Sequence, residues 1–405
     1  MAELLLFTEK FPYQGGEVFL KAEIPYLAQH FEKVWIFPSQ VSENKAFDLP
    51  ENVEVITPQW PTQTHTRKIV SKHFFLILRY FGYEFLFSKH RIKYLTQFKW
   101  NFYRLIGLIE DADSLKAKLK DNFKPDIICY TYWFNEQTSR LLLLKKMGMP
   151  NLRVISRVHL YDFEEEFNGR GYLPFRRVEM RNINKVVPIS EYARTYLSKQ
   201  FSFPGKITEV HRLGVPEAPL NPGGTGETFI LVSCSALSWY KRPELLVDVI
   251  AALDVPVHWI HFGDGPMLEQ FMAKAKQLPA HIQLDYRGRV GNEEIMQFYR
   301  ENPVDALLNV SIYEGIPYSM MEAIASGIPI IGCNVCGVPE IVTEQTGLLL
   351  QAAEEPKQMA LRVSEFLKSQ SRNYSFRQGV KAYWKQFYKG EANYSEFIQT
   401  QLCVE

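Results

Sequence analysis

Asn309-Val310-Ser311-Ile312-Tyr313-Glu314-Gly315-Ile316-Pro317-Tyr318-Ser319-Met320-Met321-Glu322, continuing through Ala323-Ile324-Ala325-Ser326-Gly327-Ile328-Pro329, is the most informative run in the chain. A buried strand ends near Val310, a Gly-Ile-Pro loop follows, and a helix begins near Ser319. The small residues Ala325 to Pro329 then close the helix and lead into a further strand, Ile328 to Gly332. Strand, loop, helix and strand in this order make an α/β unit. Backbone N–H groups of Gly315, Ile316, Pro317's neighbours and Ser319 point at whatever lies beyond the strand's carboxyl end, where two phosphates would sit well. Glu314 lies in the loop and Glu322 about one turn inside the helix. One carboxylate can therefore reach a sugar's hydroxyls while the other takes those of a ribose, since a carboxylate accepts two such bonds at once.

The same alternation runs outward in both directions. Before the midpoint, Leu4–Phe7, Lys33–Phe37, Asp126–Tyr130, Arg153–Val158 and Asn184–Ile189 read as buried parallel strands separated by helical stretches. After it, Phe229–Ser233, Val257–Phe262, Ile282–Tyr286 and Ala306–Val310 repeat the pattern. The turn-rich Asn221-Pro222-Gly223-Gly224-Thr225-Gly226-Glu227 separates the halves. The expected fold is α/β, with two Rossmann-like doubly wound domains facing across a cleft: residues 1–220, residues 221–385, and a final helix over residues 386–405. A chain of 405 residues suits two domains.

Composition narrows the function classes. With 46% hydrophobic and 22% charged residues and no long uninterrupted apolar run, the chain reads as a globular protein without a membrane span. The N-terminus has no basic region or cleavage site of a signal peptide, which places the protein in the cytoplasm as an expectation. A net charge of +1 gives no general reason to bind nucleic acid. Five cysteines make no disulfide framework, and Cys333 and Cys336 lack the second pair a zinc site needs, so they read as loop thiols. One segment departs from the average. Between Arg67 and Leu105, aromatic and aliphatic residues alternate with nine basic side chains and a single acid, Glu84. Two readings are open: a surface for an anionic membrane or a phosphate-bearing acceptor, and a helical pair packing its aromatics inward.

Further candidates fall at strand ends. His261-Phe262-Gly263-Asp264-Gly265-Pro266 is a turn where the backbone at Gly263 and Gly265 can approach a nucleotide, although tight turns need glycine anyway. His159 closes a strand three residues before Asp162; such a His can hydrogen-bond a sugar hydroxyl while the acid fixes its tautomer. Gly15 and Gly16 follow the first strand and let the main chain come close to phosphates, without forming a dinucleotide fingerprint. Tyr132-Trp133-Phe134-Asn135 reads as core packing or as part of an acceptor surface.

With its two glutamates separated by seven residues, the chain resembles the large retaining glycosyltransferase family that includes glycogen and sucrose synthases and many bacterial capsule and lipopolysaccharide enzymes, the group 1 or family 4 type with the fold called GT-B. Gly337-Val338-Pro339-Glu340-Ile341-Val342 and Thr346-Gly347-Leu348-Leu349 resemble it too. The resemblance implies that Glu314 contacts the donor sugar, Glu322 the ribose, Arg289 and Val290 the base, and His159 the transferring sugar. It also implies a nucleotide diphosphate sugar as donor, no metal or other cofactor, and a cation for the leaving diphosphate. Lys241 stands where that family carries a lysine, but Ala236 stands where it carries an arginine, and Arg242 is the candidate replacement. The implied activity is transfer of a sugar to a glycan or lipid-linked acceptor in bacterial surface polysaccharide or glycoprotein glycan assembly, with peripheral contact to the inner membrane face. Two alternatives share the architecture: an epimerase or phosphorylase, and a non-catalytic sugar-nucleotide-binding partner of another transferase.

Overall fold

A computed structural model describes residues 2–13, 17–42, 47–58, 60–61, 65–165 and 171–403. The chain forms two units, one of Met1–His211 together with Tyr394–Glu405, the other of Arg212–Asn393.

The first unit carries a six-stranded, all-parallel sheet of β1 (Glu3–Thr8), β2 (Lys33–Pro38), β3 (Val53–Val55), β4 (Ile128–Thr131), β5 (Arg153–Val158) and β6 (Lys185–Pro188), in the order β3-β2-β1-β4-β5-β6. Its strands are apolar on both faces, as a sheet covered by helices requires. Leu4, Leu6, Val34, Ile36 and Ile155 sit in one buried cluster with Phe397, Ile398 and Leu402 from the end of the chain. Arg157 anchors that end as well. Its fully buried guanidinium lies 3.9 Å from the Phe397 ring centroid, while its Nε donates to the Tyr130 hydroxyl and its Nη2 lies 3.5 Å from the Glu23 carboxylate.

The second unit repeats the plan with β7 (Phe229–Cys234), β8 (Val257–Phe262), β9 (Ile282–Gly288), β10 (Ala306–Asn309), β11 (Ile330–Cys333) and β12 (Gly347–Leu350), in the order β12-β11-β10-β7-β8-β9 and again all parallel. Its core packs Leu231, Trp259, Leu308 and Ile331 against Val249, Met359 and Val363 of the flanking helices. The fold class expected from the sequence is present as two such α/β halves.

The division between the units falls at His211/Arg212 rather than at Asn221, and the segment rejoining the first unit starts at Tyr394 rather than at residue 386. The reason is hydrogen bonding. Val215 bridges Lys389, donating to the Tyr388 carbonyl and accepting from the Gly390 N–H at 3.0 Å each, so residues 212–220 and 388–390 stay with the second unit. Nor is Asn221–Glu227 a linker. Asn221 is buried, its amide donates to the carbonyls of Tyr299 and Asn302, and its Oδ1 accepts from Gly223 N–H, Val304 N–H and Arg377.

The segment from Arg67 to Leu105 is helical: Thr66–Phe87, Arg91–Thr96 and Phe98–Asn122, with the first helix kinked at His73. Among the described residues, no helix is long and apolar enough to cross a membrane.

Candidate active site

In an open parallel sheet, the crevice lies where the strand order reverses, outside the carboxyl ends of the strands. In the second unit that place is between β7 and β10, which are adjacent in space although β8 and β9 intervene in sequence. The loop after β7 carries Lys241 in a short 3₁₀ turn, Trp239–Lys241, and the loop after β10 carries Glu314. The two side chains meet. The Lys241 ammonium donates to the Glu314 carboxylate, and both are largely buried, with side-chain exposures of 16% and 10%. Asn309, the last residue of β10, donates its amide to the same carboxylate oxygen at 3.3 Å, while its own Oδ1 accepts from the Ser311 N–H and fixes the loop's exit. Across the mouth of the same two loops, Trp239 is 61% exposed and packs edge-on against Tyr313, with ring centroids 6.1 Å apart. Sequence reasoning passed over Asn309, Trp239 and Tyr313. Asn309 and Tyr313 lie within the deciding run and Trp239 beside Lys241, so the signal was adjacency to the candidates.

Glu322 sits in the helix Tyr318–Ala325, one residue earlier in its start than the sequence suggests, with Pro317 at its N-cap. Gly315, Ile316 and Pro317 form the loop before it, and Ser319 is in its first turn. The Gly337 N–H donates to the Glu314 carbonyl, binding the loop after β11 to this one; a Cβ at Gly337 would fall 2.3 Å from the Gly315 carbonyl oxygen. Burial pushes the Glu322 carboxyl up to about 7, against the lowering pull of its hydrogen bond from the Asn292 amide. Asn292 opens the helix Asn292–Glu301 and is a further partner that the sequence did not reveal.

A carboxyl raised in this way links stability to pH. The unfolded glutamate ionises near 4.5 and the folded one near 7, so the protein loses stability as pH rises through that window, with the full cost present above about 7. Glu322→Gln is therefore expected to stabilise the fold at pH 8 by roughly 1–3 kcal/mol and to change it little at pH 4. Thermal melts of both proteins at the two pH values check this.

Gly263 and Gly265 follow β8. Gly263 has φ +140°, and a Cβ there would lie 1.9 Å from the Ser235 carbonyl oxygen; one at Gly265 would lie 2.5 Å from that of Leu237. Both glycines thus let the turn after β8 press against the loop that leads to Lys241. The Gly263 N–H is committed to the Gly288 carbonyl at 2.7 Å. Arg289 and Val290 come directly after β9, Arg289 exposed and Val290 half-buried. Arg242 is turned to other work. In the left-handed region at φ +51°, it donates to the carbonyls of Val310 and Ala352 and to the Cys333 sulfur, clamping three strand-end loops together. Lys241 is the cation in contact with Glu314.

In the first unit the order reverses between β1 and β4. Gly15 and Gly16 lie outside the described residues. Beside them, the Glu17 carboxylate accepts from the N–H groups of Glu9, Lys10 and Phe11 and from the Trp133 indole, holding the loop after β1 against the loop after β4. His159 follows β5 and is buried, its ring tilted against those of Trp133 and Tyr132 with centroids 4.3 Å and 4.8 Å apart. The tautomer is set differently from the sequence expectation. Asp162 accepts from the His159 backbone N–H at 2.7 Å, and the ring instead places Nε2 at 3.1 Å from the Tyr132 carbonyl. A carbonyl can only accept, so Nε2 carries the proton. Burial and then the nearby Arg157 charge bring the imidazole down to about 3, keeping it neutral.

Residues 221–383 match the model for "Glycosyl transferases group 1". Those residues lie within the second unit. It is similar to the Methanocaldococcus jannaschii glycosyltransferase MJ1178, 23% identical over 320 residues that cover 77% of this chain and 85% of that one. Over a shorter span it is 34% identical to the Escherichia coli O-antigen biosynthesis glycosyltransferase WbnH, covering 28% of this chain and 31% of the relative. Among solved structures, the apo lipopolysaccharide outer core galactosyltransferase WaaB aligns with TM-score 0.69 at 14% identity, over 98% of this chain and 99% of that one. Anabaena HepE in complex with UDP-glucose aligns with TM-score 0.65 at 14% identity over the whole of both chains. Those two likenesses establish the GT-B fold.

Proposed function

We propose that this glycosyltransferase is a retaining enzyme that moves a sugar from a nucleotide diphosphate sugar to a glycan or lipid-linked acceptor in bacterial surface polysaccharide or glycoprotein glycan assembly. The observation that carries the reading is the Lys241–Glu314 pair at the β7/β10 switch point, ahead of a helix that buries Glu322. Glu314 orients the donor sugar through its hydroxyls, Lys241 neutralises the departing diphosphate, and Glu322 holds the ribose. Arg289 and Val290 meet the base, and the N–H groups around Gly315 to Ser319 face the phosphates. No side chain is assigned as a covalent nucleophile. The leaving phosphate takes the acceptor's proton on the same face of the sugar as the new bond forms, and the protein's contribution is position and electrostatics. In this reading Lys241 supplies the charge that a divalent ion supplies elsewhere, so turnover persists with chelator. Neutral His159 donates from Nε2 to the Tyr132 carbonyl, and its side chain accepts from the Asp162 backbone N–H.

The relatives support this reading through what they make: WbnH acts in O-antigen biosynthesis, and a Salmonella typhimurium relative, WcaL, is described as a putative colanic acid glycosyltransferase. HepE was solved with UDP-glucose, which makes a uridine diphosphate sugar the first donor to try. Proton NMR of the product formed from an α-linked donor tests the stereochemistry. The expected product has an α anomeric signal; a β product contradicts front-face transfer.

A further inference from the structure

Glu84, the single acid of the segment from Arg67 to Leu105, is buried near the end of the helix Thr66–Phe87, in the wall of a pocket. All the residues that line this pocket belong to the first unit. Its empty volume, the open mouth included, is about 500 Å³, a size ordinary for small-molecule sites. Arg176 and Arg177, at the start of the helix Arg176–Asn182, line it as well, together with the rings of Phe163, Tyr172, Tyr196 and Phe201. The polar groups do not satisfy one another. Glu84 Oε2, Arg176 Nε and Arg177 Nε are buried and make no hydrogen bond among the described residues. Arg176 donates from Nη2 to the Phe134 carbonyl at 2.8 Å, and its guanidinium lies over the Phe134 ring at 3.8 Å, so it is held in place with Nε unused. A buried donor or acceptor without a partner costs stability, and three around one cavity mark a site that a bound molecule completes.

Hydrogen-bonding roles and charge identify the ligand. It must accept from guanidinium N–H groups and, in the same pocket, donate to a carboxylate; a hydroxyl does both. Burial, and then the nearby Glu179 charge, pushes the Glu84 carboxyl up to about 7, and a hydroxyl suits it whether ionised or protonated. Charges of the two signs balance. Lys89, Arg176 and Arg177 stand with Glu84, Glu165 and Glu179, the last with its carboxylate 3.2 Å from Arg176 Nη1. An anion would meet the acids and a cation the bases, so the fitting molecule is neutral and rich in hydroxyls. The aromatic rings add apolar faces for its C–H groups, and Phe163 and Tyr196 adjoin with centroids 5.2 Å apart. We infer that this pocket binds a neutral sugar ring, its hydroxyls bonded to Glu84 and Arg176 and its C–H face against the aromatic wall. The inference concerns the first unit and does not depend on the identity of the donor or on the residues around Glu314.

Saturation-transfer NMR of the full chain with the methyl glycosides of glucose, galactose and N-acetylglucosamine tests it. At least one of the three is expected to bind. Gln200, half-buried, also lines the pocket, so Gln200→Trp fills it with an indole, while Glu84→Gln keeps the shape and removes the carboxylate. Each substitution should weaken that binding at least about tenfold, the worth of one hydrogen bond to a charged group. Glu314→Gln, in the other unit, should leave it unchanged, which separates this pocket from the donor contacts proposed above. Circular dichroism melts verify that the variants fold. Absence of saturation transfer to all three glycosides overturns the inference, as does binding that persists in both pocket variants and disappears in Glu314→Gln. Inorganic phosphate bound in place of the glycosides, seen as phosphorus line broadening that Gln200→Trp removes, would assign an anion site and also overturn it.

Discussion

Glu314→Ala is expected to lower kcat/KM for glycosyl transfer by about 10³-fold, close to 4 kcal/mol of transition-state stabilisation. Three consequences combine in this one change. In the proposed mechanism the donor sugar loses the carboxylate that accepts its hydroxyls. Lys241 loses its ion-pair partner and, with 16% of its side chain exposed, has little solvent to replace it. Asn309 also loses the acceptor that its amide reaches at 3.3 Å. Because the pair joins the loops after β7 and β10, the substitution acts on the geometry of both. Glu314→Gln keeps the shape and an acceptor oxygen but removes the charge that holds Lys241, so most of the loss should remain, chiefly in kcat. Initial rates against donor concentration for the three proteins separate the two parameters, and a variant within threefold of the unsubstituted enzyme would exclude Glu314 from the reaction.

Lys241→Ala is expected to cost about 10²-fold or more in kcat, with a weaker rise in the donor KM. The diphosphate gains charge as the glycosidic bond breaks, so a fixed ammonium stabilises the transition state more than the bound donor. The magnitude follows from what stands nearby. Ala236 offers no cation, and Arg242 is committed to the Val310 and Ala352 carbonyls and the Cys333 sulfur. Arg242 thus cannot move to the phosphates without releasing the loops it clamps. Lys241→Arg should recover only part of the rate, since a planar fork does not reproduce a compact ammonium. If Lys241→Ala retained normal kcat while Arg242→Ala lost it, the two roles would have to be exchanged.

The sequence was most legible where strands are buried on both faces. Continuous apolar runs such as Leu4–Phe7 and Ala306–Leu308 allow little else, and they fall inside β1 and β10. It was least legible at short strands and at side-chain partnerships. β3 has three residues, and β12 carries the Gly-Leu-Leu signature that reads as a motif before it reads as a strand. Asn221–Glu227 reads as a linker because turn residues look alike whether they are solvated or, as with Asn221, bonded to carbonyls 78 and 81 residues away. Glu314 and Glu322 were legible through their spacing and the loop and helix between them. The contact of Glu314 with Lys241 joins residues 73 apart, so only the strand order brings it about. Arg242 shows the converse, a basic residue in the right stretch whose donors are taken by backbone carbonyls. His159 was legible as a strand-end histidine, but its tautomer depends on the Tyr132 carbonyl of a neighbouring strand's loop.

Metal-independent transfer through Glu314 is tested by nucleotide release by the purified protein from a panel of UDP-, GDP- and ADP-sugars, with chelator present and Glu314→Gln run beside it. Release from one donor class that survives chelation and is nearly absent in the variant is the expected result. Equal release by the variant, or donor binding without turnover in the presence of candidate acceptors, would contradict it.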